Sequence, residues 1–160
     1  MLGLWCAGCA GYHLGPSNGL AAGAQSIQVL PFHNRTPEPR LGETVTHLLR
    51  KQLQQDGTYR LSTREPADIL VTGSLRKYDR HGVTFERGDV ITPRDYTVDV
   101  TAHVRAVHRA SGRVLLDRDV TGHTTLRVGL DLASAERQAL PVLAEDLARN
   151  ITALLVDGDW

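Results

Sequence analysis

Side chains that could do chemistry are few and scattered along this sequence. Cys6 and Cys9 stand three apart near the N-terminus, the spacing of a redox pair or of half a metal site. A redox pair needs a folded helix terminus to activate its thiolate, and a metal site needs two further ligands nearby. The surrounding residues offer neither, and no cysteine follows Cys9 to form a disulfide within the body of the chain. Seven histidines, at positions 13, 33, 47, 81, 103, 108 and 123, invite a metal. His103 and His108, however, are five apart in a stretch of period 2, which turns them to opposite faces, and no His-x-x-x-His pair lies in a helical stretch. Ser74 follows Gly73 without the rest of a Gly-x-Ser-x-Gly elbow, so it reads as an outward polar residue. Glu86 and Asp89 read as solvated charge, because nothing adjacent in sequence would desolvate either one. With no Gly-rich phosphate cradle either, the sequence implies no catalysis, no metal and no cofactor.

The chemistry that does stand out is basic. Arg76, Lys77 and Arg80, followed by Arg87 and Arg94, gather around a central polar segment. Guanidinium forks suit phosphate and carboxylate groups, and a lysine adds a point charge. Asp79, Glu86, Asp89 and Asp95 are interleaved with them, so the cluster reads either as an anion site or as a mutually screened, solvated rim. Across all 160 residues, 18 Lys and Arg balance 18 Asp and Glu. That balance argues against a nucleic-acid partner, which calls for a strongly basic domain.

The first eight residues are small or apolar and uncharged, like a shortened export signal that lacks its positive n-region. The run Cys6-Ala7-Gly8-Cys9 resembles a bacterial lipobox, in which the final Cys takes a diacylglycerol thioether and becomes the new N-terminus. By that resemblance Cys9 is lipidated and joins palmitate-type acyl chains to the protein, and residues 9–25 form a lipidated end plus a Gly, Ala and Ser-rich tether. The competing reading is a buried apolar N-terminal strand.

The elements that must position these residues follow from periodicity. Ser26 to Phe32 alternates as a strand, with Pro31 marking its end or an edge and His33 to Pro37 a turn. Leu41, Val45, Leu48, Leu49 and Leu53 trace one face of a helix from Arg40 to Asp56, stopped by Gly57. Short and long strands are expected at 59–62 and 68–79, with Gly73 leaving room for a packed helix. Residues 80–93 read as a strand extension or a mobile hairpin. Tyr96, Val98, Val100, Ala102, Val104 and Ala106 alternate with polar residues in the clearest strand, and a turn at 110–112 returns the chain to a partner strand at 113–123. Leu132, Leu140, Leu143, Leu147, Ile151 and Leu154 mark a final helical stretch, with Pro141 predicting a kink or a short helix feeding a longer one. The fold class predicted is α+β, with two helices packed on one face of a mostly antiparallel sheet of about four strands, formed by a single domain over 26–160.

The lipobox Cys9 with Gly11-Tyr12-His13-Leu14, the segment Ile27-Gln28-Val29 leading to Phe32-His33-Asn34-Arg35-Thr36, Ala67 to Gly73, and the C-terminal helix ending near Trp160 together resemble the LptE family of outer-membrane lipoproteins. The resemblance implies a non-catalytic, periplasm-facing, lipid-anchored protein that plugs and helps assemble the β-barrel LptD and assists delivery of lipopolysaccharide to the outer leaflet. Basic residues contact lipopolysaccharide in that family, which makes Arg76, Lys77 and Arg80 the binding candidates here. Val29 to Thr36 also resembles the first strand of CsgG-like and LpoB-like lipoproteins, which would imply a secretion-channel subunit or an activator of peptidoglycan synthases.

Overall fold

Period-2 segments form the long strands of one sheet, and the two segments of helical period cover one of its faces. The computed structural model describes residues 21–86, 89–127 and 131–158, the side chains of 84–94 apart. In chain order the elements are β1 (Ser26–Val29), β2 (His33–Asn34), α1 (Leu41–Asp56), β3 (Arg60–Leu61), β4 (Ile69–Glu86), β5 (Asp89–His108), β6 (Val114–Arg127) and α2 (Leu132–Val156). The lipidation candidate Cys9, the signal-like residues 1–8, most of the tether, Arg87 and the side chains of Glu86, Asp89 and Arg94 lie outside the described residues.

The sheet is mixed and six-stranded, in the order β3-β1-β4-β5-β6 with β2 also on β4, rather than mostly antiparallel with about four strands. β1 runs parallel to both β3 and β4, and β2 runs parallel to β4. Two of these strands are only two residues long, too short for any alternation to show in sequence. The segment expected as one strand from Ser26 to Phe32 divides: β1 ends at Val29, and the Leu30 N–H still reaches the Val71 carbonyl at 3.0 Å. Pro31, which has no N–H to give, separates it from β2, and His33–Asn34, expected as a turn, pairs with Ser74 and Leu75 instead. The central polar segment resolves as strand extension: β4 and β5 pair antiparallel from Ile69↔His108 out to Glu86↔Asp89.

Inward-facing residues of every long strand join both helices in one core. Ile27, Val29, Val71 and Leu75 meet Val45, Leu49 and Leu53 of α1, while Val100, Ala102, Val104 and Ala106 belong to the same cluster as Leu143, Leu147 and Ile151 of α2. Small residues set how closely the layers approach. A Cβ on Gly122 would lie 2.6 Å from the Leu147 backbone nitrogen, so the glycine is what lets α2 rest on β6. Gly73 also leaves room for a neighbour, but that neighbour is the Phe32 ring rather than a helix. Gly57 adopts φ 76° and caps α1 through its N–H to the Leu53 carbonyl, as its position predicts.

α2 is assigned as one helix from Leu132 to Val156, with Pro141 inside it. Pro141 and Arg137 are both exposed, so the carbonyl that loses its i+4 donor lies on the solvent side of the helix. Asp131 starts the helix by accepting from the N–H groups of Ala133 and Ser134, at 3.0 and 3.2 Å.

Candidate functional site

Among the described residues no helix covers the opposite face of the sheet, and alternation makes its central part polar, with Leu70 and Val107 paired at the end where the chain enters. β5 contributes Thr97, Asp99, Thr101, His103 and Arg105, each paired with Thr125, His123, Thr121, Asp119 and Asp117 of β6. Thr101 and Thr121 hydroxyls meet at 3.2 Å across that pair. Facing them from β4 are Thr72 and Ser74, then the basic residues. On this open face charged side chains of three strands come together, and it is the candidate site.

A bulge decides how the basic cluster is displayed. Leu75 pairs with Ala102 and Lys77 with Thr101, leaving Arg76 as the extra residue between them. Before the bulge, odd-numbered residues of β4 point into the core; after it, even-numbered ones do. Arg76 and Lys77 therefore both lie on the open face, where Arg76 reaches Asp119 at 3.2 Å. Arg80 instead pairs with the core residue Val98 and sits on the helix side, where it forms an ion pair with Glu136 of α2 and lies 5.6 Å from the Tyr96 ring centre. The three candidates, close together in sequence, are thus divided between the two faces of one strand.

Electrostatics follow the same division. In the helix-side corner the hydrogen bond from Arg80 to Glu136 holds the guanidinium firmly charged, above its ordinary value. Burial pushes the neighbouring Tyr78 phenol up to about 12, with the Glu136 and Glu38 carboxylates adding to the effect. On the open side, at the end of the sheet where the chain enters, Ser26 donates its N–H and hydroxyl to Asp68 at 2.8 and 2.7 Å. Those two bonds, the backbone one first, hold the Asp68 carboxyl below its usual range. Near the hairpin end, the Asp95 carboxylate hydrogen-bonds Arg127 and raises its pKa.

The sequence reading missed the centre of the open face. His103 lies between two carboxylates, its Nε2 3.0 Å from Asp117 and its Nδ1 2.9 Å from Asp119, and Arg105 stands 3.6 Å from Asp117. Counting histidines along single strands sets His103 aside; the register of the β5–β6 hairpin, counted back from its turn, would have brought Asp117 and Asp119 beside it. Among the described residues, no cluster of three or more His, Cys, Asp or Glu side chains has the arrangement of a metal site. A groove of about 320 Å³ beside β3, lined by Arg60, Arg64 and Glu65, and one of about 400 Å³ between the C-terminal ends of α1 and α2 are both open to solvent. Among the described residues, none of the helices is long and apolar enough to cross a membrane.

With the fold and the face in view, the family model for lipopolysaccharide-assembly proteins of the LptE type matches residues 24–155. The chain belongs to the LptE family. The matched span runs from just before β1 almost to the end of α2, so it includes all six strands of the sheet and both layers of the core. No curated protein matches the sequence. Among solved structures, protein XCC0632 from Xanthomonas campestris aligns with a TM-score of 0.65 at 10% identity, over 89% of this chain and 90% of that one. A minor lipoprotein from Acinetobacter baumannii aligns with a TM-score of 0.54 at 13% identity, over 82% and 92%. The PelC dodecamer from Paraburkholderia phytofirmans aligns with a TM-score of 0.53 at 18% identity, over 84% and 90%. At these identities the likeness is one of fold: two helices on one face of a mixed sheet.

Proposed function

We propose that this LptE-family chain is a non-catalytic outer-membrane lipoprotein that plugs and helps assemble an LptD-type β-barrel and assists delivery of lipopolysaccharide to the outer leaflet. The observation that carries the reading is the family match over residues 24–155. The open face supports it, because a sheet with threonines and paired charges on its uncovered side is at home in a water-filled barrel lumen. On that face Arg76 and Lys77 are the groups offered to lipopolysaccharide phosphates. Arg80, the third candidate, is engaged by Glu136 on the far side, so its part in binding is to steady the strand that displays the other two.

Cys9 supplies the anchor in this reading, through acyl chains that hold the protein to the membrane without a spanning helix. The chain enters the fold beside the C-terminal end of α1, where Gly23 bonds Thr58, and the 18-residue β4 carries the hairpin away from that end by as much as about 60 Å. The point where the chain enters the sheet and the far end of the β4–β5 pairing thus lie at opposite ends of the sheet. The partners are lipopolysaccharide, an LptD-like barrel and the membrane, with no nucleic acid among them.

The test is affinity purification of the full-length protein from solubilised outer membrane, with the partner and the acyl state of Cys9 read by mass spectrometry. The expected result is a stoichiometric large β-barrel and a triacylated Cys9. Recovery of a peptidoglycan synthase instead, or of soluble protein with an unmodified Cys9, would overturn the reading.

A further inference from the structure

The aspartates around His103 are shared between an imidazole and two guanidinium groups. Asp119 Oδ1 receives both His103 Nδ1, at 2.9 Å, and Arg76, at 3.2 Å. Asp117 receives His103 Nε2 at 3.0 Å through one oxygen and faces Arg105 at 3.6 Å through the other. A singly protonated imidazole can donate to one carboxylate only and turns a lone pair toward the other, so both contacts are satisfied together only when the ring carries two protons. The charge of this five-residue chain then changes from zero to plus one. The remaining groups facing His103 are Ser74, paired with it from β4, and Thr101 on its own strand, whose β4 partner Lys77 adds a further positive charge. Among the described residues no helix covers the cluster, and its side chains are 31–53% exposed, within reach of a ligand in solution.

We propose that His103 gates anion binding on the open face. With the imidazole doubly protonated, the cluster carries one net positive charge, and the forks of Arg76 and Arg105, still beside their aspartates, attract a phosphate ester together with Lys77. With a single proton on the ring, the two aspartates balance the two guanidinium groups, the cluster has no net charge, and anions are held more weakly. The inference rests on the lipopolysaccharide reading above and adds to it a regulation of the same site. Three other histidines lie toward the rims of this face: His33, paired with Ser74 from β2, His81 at 3.9 Å from Asp99, and His123 at 3.4 Å from Asp146; neither of the last two shares its carboxylate with Arg76 or Arg105 in an ion pair.

The experiment titrates the full chain in detergent with inorganic sulfate, which stays dianionic from pH 8 to pH 5, the range in which histidines exchange their second proton. Binding is followed by NMR at low ionic strength, then repeated with lipopolysaccharide. Sulfate affinity should rise about fivefold on acidification, the effect of one added charge near a solvated site. His103→Gln should be weak and flat across the range, His103→Arg strong and flat, and His81→Gln should keep the wild-type profile. A rise that survives His103→Gln overturns the gate. Absence of sulfate binding at every pH overturns the anion site itself. A His103-dependent sulfate profile with no lipopolysaccharide binding overturns the headgroup assignment and assigns a small free anion in its place.

Discussion

The two faces of this sheet are built from the same strands, residue by alternate residue, yet they obey different constraints. On the helix side, Val100, Ala102, Val104 and Ala106 are fully buried, and a single methylene is felt because α1 and α2 fill the space against them. On the open side, Thr101, His103 and Arg105 meet water and one another, so their identities are free of packing and available to charge. The single bulged residue Arg76 changes which residues of β4 belong to which side. The fold of this protein is specified on one face, and its recognition chemistry has room only on the other.

The comparison is broken most severely by emptying the covered face. Leu147 is fully buried against β6, so Leu147→Ala should cost about 3–4 kcal/mol, read as a lowered midpoint in denaturant unfolding. Filling the same contact is the next effect. Gly122→Ala forces α2 off the strand, at a cost of about 2 kcal/mol and a matching loss of Tm. On the open face the signs separate: Arg76→Glu with Lys77→Glu should move stability by no more than about 0.5 kcal/mol while lowering sulfate or lipopolysaccharide affinity roughly tenfold, about 1.4 kcal/mol. An equal loss of stability in that variant would erase the distinction between the faces.

Smaller effects sharpen it. Tyr78 is held neutral by burial to about 12, above its ordinary value. A raised folded value contributes stability that is complete below pH 10 and lost as pH climbs toward 12, so Tyr78→Phe should flatten the alkaline fall of Tm in this range. The smallest change is expected at the helix-side ion pair, where a double-mutant cycle on Arg80 and Glu136 should return a coupling of about 0.5 kcal/mol, since the arginine side chain is 40% exposed.

Much of the covered face was legible in the sequence, because burial imposes a period. The stripe of α1, the alternation of β5, the Gly57 cap and the leucines of α2 each repeat often enough to be read. The short parallel strands were not, since β2 and β3 have two residues apiece and are defined by what they pair with rather than by any pattern of their own. Pro141 was read as an interruption, and it stands inside α2 because Arg137 and Pro141 face water. The site was harder still. Arg76 and Lys77 were visible as basic residues, but a one-residue bulge sent Arg80 to the other side. Asp117 and Asp119 reach His103 only through a hairpin register. Contacts across strands depend on register, and a slip of one residue reverses every face.

In the proposed function the open face, and not the outer surface of the helices, meets the lipopolysaccharide. This contact is tested most directly by placing a photoreactive residue in cells at Thr101, in the middle of the open face, and in a second strain at Glu145, exposed on α2. Lipopolysaccharide adducts are expected from position 101 and none from position 145. Adducts from position 145 alone would contradict it.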